Sequence, residues 1–337
     1  MQLIKKLFAV GVFLLAIFVA VEITYRYYVV GPVALNPLRA NSLNTIMRSE
    51  FVRLSKYPDI FFELKPNMDG WFKGVRFTTN SAGQADREYD QKKPSGVGRV
   101  VVAGSSWTMP SGVDQEDAWH AVLEKEQNQL SPLQPFEFIN MGVELYGLRE
   151  LVGTVRHKAF LWDPDLIVVA VTTFTTSFLW EAPDAQQKLP ARAYPALQSY
   201  SLRGLAKMFG IRTDEPSKDR PLLEPGDKEG RVRQLLRAVD ELGEMQKNRK
   251  VPIVLVFLGY VPLGDDVEAP LLERASEYGI KLIIANQIFP DDPRERLELQ
   301  ISYYDRHPNA AGHRVISEFV GQGLRDAGYL TESTQVR

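Results

Sequence analysis

The sequence predicts an α/β protein of three layers, α/β/α, with a five-stranded parallel sheet and an N-terminal transmembrane helix in front of it. Three observations predict this. Five short apolar runs of strand length, rich in β-branched residues, recur at 99–104, 136–143, 166–172, 252–260 and 281–288. Helical patterns lie between and after them, at 117–129, 148–161, 231–247, 269–278 and 310–327, and strands alternating with helices make a parallel sheet covered on both faces. The third observation is a long apolar run near the N-terminus.

That run, 7–21, is apolar throughout apart from Gly11, with Lys5 and Lys6 in front and Glu22 behind. About 20 residues cross the hydrocarbon core of a bilayer, and Ile23, Tyr25, Tyr27, Tyr28, Val29 and Val30 extend the run with ring side chains suited to an interface. A cleaved signal peptide fits the same charge and core length, yet no clear small-x-small cleavage site follows Val21. A buried helix of a soluble protein would carry a polar stripe, which is missing. Residues 1–32 are therefore expected to be a membrane anchor or signal peptide. Lysines before the span and the single Arg26 after it favour a cytoplasmic N-terminus. The expectation is a single-pass protein of the cytoplasmic (inner) membrane with its main domain facing the periplasm or exterior.

About 300 residues follow, enough for one large α/β domain. An apolar fraction of 45% with 24% charged residues is that of a globular chain and excludes disorder as the main state. Lys+Arg 40 against Asp+Glu 42 leaves a net charge of −2, so nucleic acid is not an expected partner. The absence of cysteine excludes a disulfide framework, a cysteine nucleophile and thiolate zinc sites, and four histidines leave few routes to a metal site. No cofactor and no metal are expected.

Residues 33–98 show no strong helical or strand period and contain Pro37, Pro58, Pro66 and Pro94, so they read as an irregular lead-in packed on the core. The main domain is expected over 99–328. Within it 179–230, with six prolines and many charges, reads as an insertion. Crossover connections place the C-terminal ends of the strands along one edge, where ligand-binding loops collect.

Two segments at that edge carry chemistry. The first strand runs into Gly104-Ser105-Ser106-Trp107-Thr108, a tight turn with two hydroxyls. A serine there becomes a nucleophile when an imidazole reaches it, and otherwise caps a following helical turn. Near the C-terminus, Asp305 and His307 stand two apart ahead of a helix start that Asn309 can cap. A carboxylate so placed fixes the imidazole tautomer and stabilises its protonated form; the plainer alternative is a salt bridge from Asp305 to Arg306 or Arg314. A metal site from Asp305, His307 and His313 lacks the i, i+4 pairing of helical zinc sites. His120 and His157 read as ordinary helix-face residues, and Arg231, Arg233 and Arg237 as a solvated helix face.

The strand ending in Gly-x-Ser, Asn140-Met141-Gly142 after the second strand, and the C-terminal Asp-x-His-Pro-Asn-x-x-Gly-His together resemble the SGNH (GDSL-type) hydrolases. Thr79-Asn80-Ser81-Ala82-Gly83, Gly112-Val113, Asp117-Ala118-Trp119 and Trp162-Asp163-Pro164-Asp165 follow in the order typical of its membrane-tethered bacterial members, so the resemblance spans roughly 61–323 apart from the insertion. It implies a flavodoxin-like sheet. It also implies Ser106 as nucleophile, His307 as base, Asp305 as its orienter, and the backbone N–H groups of Ser106 and Gly142 as oxyanion donors, for acyl transfer through an acyl-enzyme.

Two departures stand out against the family pattern. Ser105 occupies the place of an Asp that braces the loop, and Thr172-Thr173-Phe174-Thr175-Thr176 lacks the Asn whose amide completes the oxyanion hole. Losing one such donor costs on the order of 10² to 10³ in turnover. Thr173, Thr175 and Thr176 are the replacement candidates. The reading that follows is a serine esterase or O-acyltransferase acting on an acylated small molecule or glycan. The alternative is a catalytically impaired relative serving as a polysaccharide-binding or assembly component.

Overall fold

A computed structural model describes residues 1–30, 35–36, 51–180, 199–209, 222–224, 226–259, 263–284, 288–301 and 305–330. Of the insertion expected at 179–230, residues 181–198, 210–221 and 225 lie outside them, as do 31–32 of the expected anchor, 33–34 and 37–50 of the lead-in, and 260 and 285–287 of the last two expected strands.

Helix α1 (Gln2–Val30) is one continuous helix, and within Gln2–Tyr28 an 18-residue stretch has a mean hydropathy of 2.6, the length and composition of a membrane span. Its side chains are exposed almost throughout. The exception is Glu22, which is buried against the start of a later short helix, α4 (Tyr200–Met208). Its carboxylate accepts the N–H groups of Tyr200 and Ser201, each at 2.8 Å, and the Ser199 hydroxyl at 2.7 Å, adding to the cap that Ser199 itself provides by accepting the Leu202 N–H at 3.2 Å.

The lead-in has more order than its composition predicts. Two antiparallel hairpins pair β1 (Val52–Leu54) with β2 (Phe62–Leu64), and β3 (Asp69–Phe72) with β4 (Val75–Thr78). Strands of three or four residues are too short to show a period. They are held by burying Phe51, Ile60, Phe62, Leu64, Phe72 and Phe77 in the main core.

The central sheet consists of β5 (Gly98–Ala103), β6 (Phe136–Asn140), β7 (Leu166–Thr172), β8 (Ile253–Leu258) and β9 (Lys281–Ile284). Their order is β6-β5-β7-β8-β9 and every pair is parallel, the flavodoxin-like arrangement. Alternate residues face opposite layers, as the period of two requires. Val101, Ala103, Ile167, Val169, Val171, Leu255 and Phe257 pack with α3 (Leu148–His157), α5 (Lys228–Arg249), α6 (Asp265–Tyr278) and the hairpins. Val100, Val102, Val168, Ala170, Val254 and Val256 pack on the other side with Trp119 and Leu123 of α2 (Trp119–Leu130) and Ile316, Val320 and Leu324 of α8 (Ala310–Asp326). All seven residues of β7 are buried because both faces are covered. A one-turn helix, α7 (Pro293–Leu297), precedes the final loop.

Most boundaries move by one to three residues from the predicted ones, each for a local reason. Helix α5 begins earlier because the Asp227 carboxylate caps it, accepting the Gly230 N–H at 2.7 Å. Strand β6 stops at Asn140, and Met141 and Val143 instead donate to the carbonyls of Val102 and Gly104 at 2.8 and 3.1 Å. That departure from the ladder lays the loop after β6 along the loop after β5.

Candidate active site

At the end of β5 the chain turns on Gly104, where a Cβ would run into the Thr108 side chain. The N–H groups of Thr108 and Met109 both donate to the Ser105 carbonyl at 3.0 Å, closing a single turn that fixes Ser106 at its head. Ser106 is 7% exposed. Among the described residues, its N–H donates to no protein group and its hydroxyl makes no hydrogen bond. A nucleophile and an oxyanion donor both need that freedom.

The loop before α8 is stapled independently. Asn309 caps the helix, its Oδ1 accepting from Ala311 and Gly312 at 2.9 and 3.1 Å, while its amide reaches back to the Glu298 and Gln300 carbonyls. The His307 carbonyl accepts the Ile301 N–H at 2.9 Å. Within this frame Asp305 Oδ1 accepts the His307 backbone N–H at 3.0 Å and lies 2.5 Å from His307 Nδ1. Nδ1 is the nitrogen a carboxylate must hold to leave Nε2 as the base.

Beneath the pair sits Lys73, from the turn of the β3–β4 hairpin. Its Nζ is 2.7 Å from Glu144 Oε1, 3.5 Å from Asp305 Oδ2 and 3.2 Å from His307 Nδ1. Burial alone would lower the ammonium pKa, but the charges of Glu144 and Asp305 outweigh it and hold Lys73 above the ordinary lysine range. For Asp305, burial works against ionisation, and the Lys73 charge together with the hydrogen bonds from His307 holds the carboxyl well below the usual range.

Glu144 follows Val143, whose N–H bonds to the Gly104 carbonyl two residues before Ser106. A short chain of contacts therefore links the serine turn to the histidine loop along one edge of the sheet. No hydrogen bond joins Ser106 to His307; contacts of this kind commonly tighten only when substrate binds.

The expected oxyanion donors divide. The Ser106 N–H is free, but the Gly142 N–H donates to Asn140 Oδ1 at 2.7 Å, and a Cβ on Gly142 would meet the Thr108–Met109 backbone. Thr175 is fully buried. Its hydroxyl is 2.9 Å from Thr172 Oγ1 and donates to Ser105 Oγ at 3.3 Å, so it braces the serine turn from β7. The Thr176 hydroxyl donates to the Thr173 carbonyl at 2.8 Å. Of the three threonines, only Thr173 is exposed at the edge.

His313 is no metal ligand in this arrangement: it is buried, and Nδ1 accepts the Trp119 N–H at 3.2 Å. Burial brings its pKa down to about 3, and that of buried His120 likewise, so both rings are neutral. His157 stacks on Tyr57, and its Nε2 lies 2.8 Å from Asp59 Oδ1. Among the described residues no group of three or more His, Asp or Glu side chains is placed to hold a metal ion. A cavity of about 490 Å³ beside β4 and α2, lined in part by Asp86, Tyr89, His120 and Glu124, contains none of the expected site residues.

Sequence reasoning missed Lys73 and Glu144. The signal available was Lys73-Gly74, a two-residue hairpin turn inside Trp71-Phe72-Lys73-Gly74-Val75-Arg76-Phe77, where apolar and polar residues alternate on the far side.

No family model and no curated protein matches the sequence. Solved structures with a similar chain trace include a lipolytic protein of the G-D-S-L family from Desulfitobacterium hafniense, at 13% identity and TM-score 0.41 over 67% of this chain and 99% of that one. Another is an acetyl xylan esterase variant from Geobacillus stearothermophilus, at 13% identity and TM-score 0.44 over 70% and 99%. A two-domain esterase active on acetylated mannans matches at 15% identity and TM-score 0.44 over 72% of this chain and 52% of that one. Likeness at this level concerns the path of the chain; the chemistry rests on the side chains.

Proposed function

We propose that this chain is a serine esterase or O-acyltransferase of the SGNH type, held at the cytoplasmic membrane by α1 and working on its outer side. The observation that carries the reading is the Asp305–His307 pair, 2.5 Å apart at Nδ1, on the same sheet edge as an unbonded serine hydroxyl at the head of a tight turn. His307 Nε2 takes the Ser106 proton as Oγ attacks an ester carbonyl. Asp305 stabilises the imidazolium, and the Ser106 N–H faces the developing oxyanion. The alcohol leaves with the proton from His307. Water, or a second hydroxyl in the transferase case, then releases the acyl group.

The membrane location is supported by α1, an apolar helix of spanning length whose one buried acidic side chain is satisfied by Arg26 and the start of α4. An O-acetylated glycan is the substrate class that the family resemblance and this location favour. Aryl acetate hydrolysis by the purified chain, lost in both Ser106→Ala and His307→Ala, is the expected outcome. Equal rates in parent and variants would reject the reading.

A second reading, a glycan-binding or assembly protein that has lost turnover, draws on one observation: the Gly142 N–H is spent on Asn140 rather than offered to substrate. Under that reading, glycan binding is retained in Ser106→Ala and no esterase activity is found in the parent.

A further inference from the structure

Strands β3 and β4 meet in a turn of two residues, Lys73 and Gly74, with φ of 47° and 87°. This is the I′ type of hairpin turn, whose positive φ at both positions costs a non-glycine residue strain. Phe72 and Val75 pair across it, and Phe72 is anchored edge-on against Phe51 at 5.4 Å. The tip so held points into the protein: Lys73 is 6% exposed. A hairpin tip normally lies in water, and an ammonium is costly to bury unless it is paired. Here a strained turn delivers a charge to a place where three other ionisable groups meet, Glu144, Asp305 and His307.

We propose that Lys73 and Glu144 are positioning residues that hold Asp305 against His307 and balance the charge of that pair. The inference rests on His307 being the base of the proposed reaction. With the imidazole neutral, one ammonium stands among two carboxylates, Glu144 and Asp305. Lys73 keeps the two carboxylates from repelling each other and gives Asp305 a second contact, fixing its Oδ2 while Oδ1 faces the ring. Glu144 in turn cancels the ammonium, which would otherwise oppose a positive imidazole 3.2 Å away. His313 is neutral and buried, and Arg306 is on the exposed side of the same loop.

The two charges therefore act on His307 with opposite sign, which a purely structural role would not produce. The test uses the full chain in detergent, with histidine rings labelled in 15N. It follows ring protonation of His307 by NMR and the acid limb of kcat/KM for an aryl acetate in parallel. In Lys73→Met, both midpoints should move up by about one pH unit, because two carboxylates then favour the imidazolium. In Glu144→Gln they should move down by about as much, because the ammonium is left unbalanced. The double variant should return toward the parent, and Lys73→Arg should stay close to it. Should Lys73→Met fail to fold, Glu144→Gln and the double variant still decide the sign.

Shifts in the same direction, or none in well-folded variants, would overturn the proposal. Opposed NMR shifts in a protein that hydrolyses no ester would support the charge balance and reject the esterase reading. Ester turnover with unmoved midpoints would do the reverse.

Discussion

Asp305 and His307 are joined twice: one carboxylate oxygen accepts the histidine backbone N–H at 3.0 Å and lies 2.5 Å from its ring Nδ1. The two-residue spacing makes both contacts local, so the loop itself orients the ring. Replacing the carboxylate by an amide keeps the shape but lets the ring take the wrong tautomer. Asp305→Asn should lower kcat for an aryl acetate by roughly 10³-fold with little change in KM. Steady-state kinetics at pH 7.5 check this, and a loss below about tenfold would remove Asp305 from the orienting role.

Asp305 also predicts an acid limit. Its carboxyl is held below its unfolded value of 3.8, so the folded state binds fewer protons than the unfolded chain as pH falls past that value. Its contribution to stability is complete above pH 4 or so and is lost on further acidification. Urea midpoints at pH 5 and pH 3 should differ less for Asp305→Asn than for the parent.

Asp86 acts in the opposite sense. Burial, with the charge of Glu124 adding to it, pushes its carboxyl up to about 7, against the hydrogen bonds from the Asn140 and Arg87 N–H groups. Between roughly pH 4 and 7 the folded protein keeps a proton that the unfolded chain has released, so stability falls as pH rises through that window. Asp86→Asn should flatten the decline of the urea midpoint between pH 5 and pH 8. An unchanged slope would show that Asp86 is ionised throughout.

The two edge threonines should separate. Thr175→Val removes a buried hydroxyl that bonds Thr172 and Ser105, and should cost about 1–3 kcal/mol of stability by urea denaturation. Thr173→Val touches no buried bond and should leave stability unchanged. If its hydroxyl supplies the missing oxyanion contact, turnover in that variant falls by on the order of 10².

Much of this site was legible in the sequence, for reasons that lie in local chemistry. Asp305, His307 and the Asn309 cap fall within five residues, and Gly104 precedes Ser106 where β5 must turn, so spacing alone brings these groups to the edge. The central strands β5, β7 and β8 were visible because parallel strands covered on both faces are apolar along almost their whole length. Lys73 and Glu144 were hidden because their meaning is tertiary. One sits at the tip of a hairpin of four-residue strands, the other in a loop 71 positions later, and neither has a neighbour in sequence that betrays the contact. The engagement of the Gly142 N–H by Asn140 was likewise unreadable, since Asn-Met-Gly fits a donor facing outward equally well.

The central claim is that Ser106 is activated by His307, and the most direct measurement is the intact mass of the chain after reaction with a fluorophosphonate. The account predicts one adduct per chain on the parent, none on Ser106→Ala and a strongly slowed reaction on His307→Ala. The same adduct on Ser106→Ala as on the parent would contradict it.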